Sequence, residues 1–218
     1  IFSFIDKETD TDVLWKTPWG VRDPKTTVPP TGDPASVWLD FYEGGWQTVL
    51  PNGGYPGNVN GADLGLHSDI NNIPWDCSIL VDSPEKVSII FSAKSVRYPL
   101  NIERKLTLNN HSKILEIEQT IHNDGEENID MVWLEHIALG EPIISENSTL
   151  YLPENSTILT HPDDVEASSK LNPDFKGPWP YAELKNGKKI DFRKIPPKND
   201  RSLDMAYISE MEKGWYAI

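Results

Sequence analysis

The sequence predicts an all-β fold, a large antiparallel β-sandwich carrying long loops rich in aromatic residues, proline and glycine. Three observations point there. Residues 101–108 and 115–122 alternate apolar and polar with a period of two, the mark of half-buried strands. Turn-forming clusters separate those runs at short intervals. No window of 11–18 residues sustains a helical period without proline or glycine, so no helix is expected; the chain holds 18 Pro and 14 Gly in 218 residues.

Taken in order, residues 15–62 form a loop-rich flank with Pro18, Pro24, Pro29, Pro30, Pro34, Pro51 and Pro56 and the pairs Gly44-Gly45 and Gly53-Gly54. Val87 to Phe91 reads as a short strand. In the next strand Ile102, Arg104, Leu106 and Leu108 share one face. Asn109-Asn110-His111-Ser112 turns the chain into a third strand, where Leu115, Ile117, Gln119 and Ile121 share a face. Asn123-Asp124-Gly125 then reads as a hairpin turn whose glycine suits a positive φ. Ile129 to Ala138 is apolar on both faces, which places that strand between two layers. Glu135 and His136 interrupt it, one on each side, and buried ionisable groups call for a partner or a function. Residues 160–200 form a second Pro-rich, loop-rich region. Residues 1–218 are expected to form a single sandwich domain. The strand-like ends, Ile1 to Ile5 and Trp215 to Ile218, suggest terminal strands continued in a longer polypeptide.

Composition narrows the function classes. A net charge of −14 offers no positive surface for phosphates, so nucleic acid is not an expected partner. No apolar run is long enough to span a membrane, and no membrane partner is expected. The single Cys77 forms neither an intrachain disulfide nor a cysteine-based zinc site. Eight Trp, seven Tyr and six Phe supply ample buriable surface, which argues against disorder. No signal peptide is visible, so a cytoplasmic location is expected over a secreted one.

Three stretches carry residues suited to chemistry. In the run from Tyr42 to Gly54, Trp46 lies beside Gln47, with Asn52 further on. An aromatic ring next to amides suits a sugar, whose C–H face stacks while its hydroxyls take hydrogen bonds. Two hairpin turns around one buried tryptophan explain the composition at least as well. In Gly65-Leu66-His67-Ser68-Asp69, followed by Pro74-Trp75, a histidine near a carboxylate can move a proton at neutral pH; an exposed loop histidine is the plainer alternative. In Trp133-Leu134-Glu135-His136-Ile137-Ala138-Leu139-Gly140 the histidine falls in a buried strand, where a core histidine bonded to a carbonyl is an even competitor. No ligand-spaced pair supports a metal, and no cofactor is expected.

Together and in this order the last two stretches, with the strands between them, resemble the galactose mutarotase-like superfamily, in particular the aldose 1-epimerases. The resemblance spans roughly residues 40–150. It implies a supersandwich fold and interconversion of sugar anomers by ring opening at C1, with His67 and His136 as catalytic residues. It further implies that Trp46 and Trp75 wall the site and that Gln47, Asn52 and Asp69 hold hydroxyls of a small sugar or sugar derivative. Departures are Ser68 where the family commonly has glycine and Glu135 where it commonly has asparagine. The family's catalytic glutamate has no counterpart here, since Glu210 and Glu212 read as a turn, so the base is expected from sequence beyond these residues. Two other readings stand beside this one: a non-catalytic carbohydrate-binding protein, and an accessory sandwich domain of a polysaccharide-active enzyme.

Overall fold

The fold is all-β and antiparallel, as the alternation predicts. The computed structural model describes residues 1–23, 26–27, 32–59, 61–67 and 69–218; Pro24, Pro29, Pro30 and Ser68 lie outside the described residues. The chain divides into two compact units, Ile1–Leu139 and Gly140–Ile218. No helix among the described residues is long and apolar enough to cross a membrane.

The first unit contains, in order, β1 (Ile5–Asp6), β2 (Thr11–Asp12), α1 (Pro34–Phe41), β3 (Trp46–Val49), β4 (Gly57–Val59), β5 (Ala62–Leu64), β6 (Asp76–Asp82), β7 (Lys86–Lys94), β8 (Leu100–Asn109), β9 (Leu115–Asn123) and β10 (Leu134–Ile137). Strands β6-β7-β8-β9 form a meander in sequence order. Its register pairs Phe91 with Arg104 and Arg104 with Gln119, so one face carries Ile89, Phe91, Ile102, Arg104, Leu106, Gln119 and Ile121. Ile102 is fully buried on that face. With Leu50, Ile70 and Leu100 it forms a core against which Trp75, Tyr98 and Ile129 pack.

A second, two-stranded ribbon lies over this face. Strands β3 and β10 pair antiparallel, Glu135 opposite Thr48 and His136 opposite Gln47. The pleat therefore sends Trp46, Thr48 and Glu135 to one side and Gln47 and His136 to the other, as the alternation in this segment requires. The side holding Thr48 meets the meander, for its Oγ1 donates to Gln119 Oε1 at 3.2 Å. Gly44 (φ 85°) and Gly45 (φ 74°) precede the ribbon. A Cβ at Gly44 would collide with the Trp15 carbonyl, so glycine is what allows this close backbone approach.

The second unit contains β11 (Thr157–Thr160), β12 (Lys176–Pro178), β13 (Tyr181–Glu183), β14 (Lys189–Asp191) and β15 (Ala206–Ser209). Strand β11 pairs with β12 and β15, and β13 with β14. Its own core is Ile158, Leu171 and Ala182, joined by Phe175, Trp179 and Phe192. Glu210 in this unit takes bonds from Thr157 and Lys176 at the end of β15.

Three expectations are corrected. A helix does form: Asp33 caps α1 by accepting the Ser36 N–H at 2.8 Å, and proline sits in its first turn. Eight residues are too few for the periodicity window, and the surrounding prolines hide them. The strand expected over 129–138 is only β10. Met131, Val132 and Trp133 are exposed, because β3 offers just four residues to pair with. Asn123-Asp124-Gly125 is no hairpin: β10 pairs with β3 rather than β9, and the Asn123 side chain instead binds the Gly125 N–H and the Glu127 carbonyl.

Candidate functional site

His67 and His136 come together. They are 69 positions apart in sequence, yet their ring centroids lie 5.3 Å from each other. His136 is set by the β3–β10 register. His67 sits in a turn with φ 57°, a left-handed conformation uncommon for a side chain of this kind, and its N–H donates to the Gly54 carbonyl at 3.1 Å. Helix α1 supplies the surroundings. The Trp38 ring stands edge-on to His67 at 4.5 Å and to His136 at 5.6 Å. Tyr42, at the C-cap of α1, stacks on Trp38 at 4.5 Å and meets His136 edge-on at 5.4 Å.

This four-ring cluster shapes the acid–base behaviour of both histidines. Burial pushes the His67 imidazole below its ordinary pKa; the neighbouring His136 adds to this and the Gly53 backbone opposes it. Burial likewise lowers His136. Burial thus favours the neutral form of both rings, and a neutral imidazole holds one N–H donor and one bare acceptor. Nδ1 of each ring and Nε1 of Trp38 are buried without a hydrogen-bond partner. Three polar atoms left so in one cluster are costly and mark a place where function, rather than stability, sets the arrangement.

The other residues singled out in the sequence take different places. Gln47 stands opposite His136 in the ribbon; its amide donates to Glu43 Oε2 and accepts from Asn71 Nδ2, each at 3.3 Å. Trp46 and Trp75 do not wall the histidines. With Gln47, Phe91, Arg104 and Leu106 they line a cavity of about 420 Å³ in whose lining neither histidine takes part. Trp75 Nε1 donates to the Ile70 carbonyl. Asn52 organises its own loop, its amide donating to the Tyr55 carbonyl at 2.8 Å and to that of Gly65 at 3.3 Å. Asp69 caps the turn between β7 and β8, accepting from Ser95 Oγ and from the Val96 and Arg97 N–H groups. The hydroxyl-holding roles expected of Asn52 and Asp69 thus meet side chains already engaged in shaping loops.

Glu135 is explained by Arg104. Its carboxylate lies 3.0 Å from the guanidinium of Arg104, which is 6 % exposed. It also accepts from Trp46 Nε1 at 2.6 Å, Trp133 Nε1 at 3.0 Å and Thr48 Oγ1 at 3.3 Å. Sequence reasoning missed Trp38 and Tyr42. The signal was Asp33-Pro34 followed by Val37, Trp38 and Phe41, a capped helical turn with an apolar face. Among the described residues no three His, Cys, Asp or Glu side chains are grouped to hold a metal ion.

Comparison with known proteins adds one relation. No curated protein and no solved structure matches the chain. Residues 6–185 match the model of a family described as a domain of unknown function (DUF4432). That match covers well over half of the sequence, and with it the histidine pair, the helix beside it and the whole meander: the chain belongs to the DUF4432 family.

Proposed function

We propose that the protein is carbohydrate-active and interconverts sugar anomers in the manner of an aldose 1-epimerase, with His67 and His136 as its proton-transfer pair. The observation that supports this most is the approach of two imidazoles to 5.3 Å in a half-buried aromatic cluster. Anomer exchange needs two coupled proton movements. The C1 hydroxyl gives its proton to a base, the C1–O5 bond breaks with its electron pair moving to O5, and an acid protonates O5. The free aldehyde turns about C1–C2, and closure reverses both transfers.

An imidazole serves as acid in its imidazolium form and as a hydrogen-bond donor when neutral. In this reading His136, once protonated, delivers its proton to O5 and returns to the neutral form, while the N–H of His67 bonds the same oxygen as charge develops. The C1 proton goes to a base, a role the resemblance gives to a carboxylate beyond these residues and water fills in its absence. Trp38 and Tyr42, rather than Trp46 and Trp75, supply the apolar ring faces. The test is equilibration of freshly dissolved α-pyranoses, followed by polarimetry across aldohexoses and their derivatives. The protein should accelerate at least one of them, and His136→Asn should lower that rate about 100-fold or more. An undiminished rate in the variant removes the assignment. Binding of a sugar without any acceleration would favour the binding-protein reading.

A further inference from the structure

The cavity lined by Trp46 and Trp75 calls for its own explanation. Trp46, Trp75, Phe91 and Leu106 give it carbon walls, and Arg104 lies in its lining. Arg104 stands in the middle of an inward-facing strand face, and its side chain is only 7 % exposed. Its Nη2 faces Glu135 Oε2 at 3.0 Å and its Nη1 donates to Gln119 Oε1 at 3.4 Å, but its Nε is buried without a hydrogen-bond partner, and so are Nε2 of the neighbouring Gln119 and Oδ1 of Asn71, which lines the same cavity. Three such atoms in or beside one hollow are more than a settled core tolerates.

Their chemistry is uneven. Two are donors and one is an acceptor, so what is missing is chiefly an acceptor. Glu135 meets this need only in part, because its two oxygens also serve Trp46, Trp133 and Thr48. The guanidinium pKa agrees: burial lowers it, and Glu135 only opposes that. Glu43 at the lining adds a negative charge that disfavours multiply charged anions.

We infer that this cavity is a binding site for an apolar-ringed monocarboxylate, its carboxylate received by Arg104 and its ring held among Trp46, Trp75, Phe91 and Leu106. A cavity of about 420 Å³ lies in the range of small-molecule sites and accommodates such a ring. The carboxylate supplies the acceptor that Glu135 leaves wanting, and the carbon walls select against a polyhydroxylated ligand. The site is independent of the sugar chemistry assigned to the histidines, since neither His67 nor His136 lines it.

The experiment titrates the whole protein with benzoate, with methyl benzoate as the uncharged analogue and with methyl β-glucopyranoside. The indole N–H resonance of Trp46 reports binding. Benzoate should bind saturably and about 10-fold or more tighter than its ester, the ratio a charge-assisted hydrogen bond confers. Arg104→Met should bring acid and ester to equal affinity. Leu106→Trp fills the cavity without touching the Arg104–Glu135 pair and should abolish binding of both, leaving the His67 and His136 ring signals in place. The inference is overturned if benzoate does not saturate, if acid and ester bind alike, if the glucoside binds in preference, or if Leu106→Trp leaves benzoate binding intact.

Discussion

Replacing Glu135 with methionine tests how the ribbon is held over the meander. The substitution keeps side-chain volume and removes the carboxylate that Arg104 faces at 3.0 Å. Deleting one partner of a buried pair costs about 3–5 kcal/mol, mostly through the charge left behind. Arg104 is almost wholly buried, but the Glu135 side chain is 31 % exposed, so entering water offsets part of the loss. The lower end, about 3 kcal/mol, is appropriate. The Trp46 indole N–H also loses its 2.6 Å acceptor in a half-buried setting, which adds about 1 kcal/mol. Trp133 is exposed and bonds water instead.

The sum, about 4 kcal/mol, corresponds to a fall of roughly 1.3–2 M in urea midpoint for an m-value of about 2–3 kcal/mol/M. Tryptophan fluorescence follows it, because Trp46 and Trp133 both bond this carboxylate. The double variant Arg104→Met/Glu135→Met removes the stranded charge together with its partner. It should be more stable than Glu135→Met alone, a non-additivity of 1 kcal/mol or more on the order of those measured for contacting pairs. A single variant destabilised by less than about 1 kcal/mol, or a double variant equal to the sum of the singles, refutes the reasoning.

Three further outcomes follow from the same structure. Ile102→Ala opens a void in a fully buried site and should cost about 2–5 kcal/mol in urea unfolding. Gly44→Ala places a Cβ against the Trp15 carbonyl at a positive φ and should cost about 1–3 kcal/mol, whereas Gly57→Ala, with nothing within 4 Å, should stay under about 1 kcal/mol by the same assay. Stability should also fall with acid in a defined window. His67 and His136 have folded pKa values below the ordinary 6.5, so the unfolded chain takes up these protons first. The contribution is complete above 6.5 and is lost as pH falls from there through the folded values. Urea midpoints between about pH 7.5 and 5 should decline, and the decline should shrink in His67→Asn; an unchanged slope in that variant contradicts the burial account.

What was legible in the sequence was local. The meander declared itself because alternate residues of β7, β8 and β9 face the same way, and short turns join them. The same alternation put Glu135 and His136 on opposite sides of their strand. What was hidden was set by distant pairing. β10 finds its partner in β3, some 88 positions away, and only that register shows that Trp46 goes with Glu135 while Gln47 goes with His136. Proximity in sequence placed Trp46 and Gln47 beside the histidines; both instead line the cavity around Arg104, which neither histidine lines. Trp38 stayed hidden for another reason. Its helix is shorter than any window that detects periodicity, and it stands in a proline-rich stretch. Arg104 read as one polar interruption in an apolar face, and only its partner across the ribbon reveals why it is there.

The claim at the centre of this account is that two distant histidines act as one acid–base site for a sugar. Nitrogen-15 NMR of the imidazole rings tests it most directly, by titrating the protein with and without each α-pyranose of the equilibration assay. The account predicts that both rings titrate below 6.5, that protonating one shifts the signals of the other, and that the sugar moves both sets together. Two rings titrating independently near 6.5, with neither responding to any sugar, would contradict it.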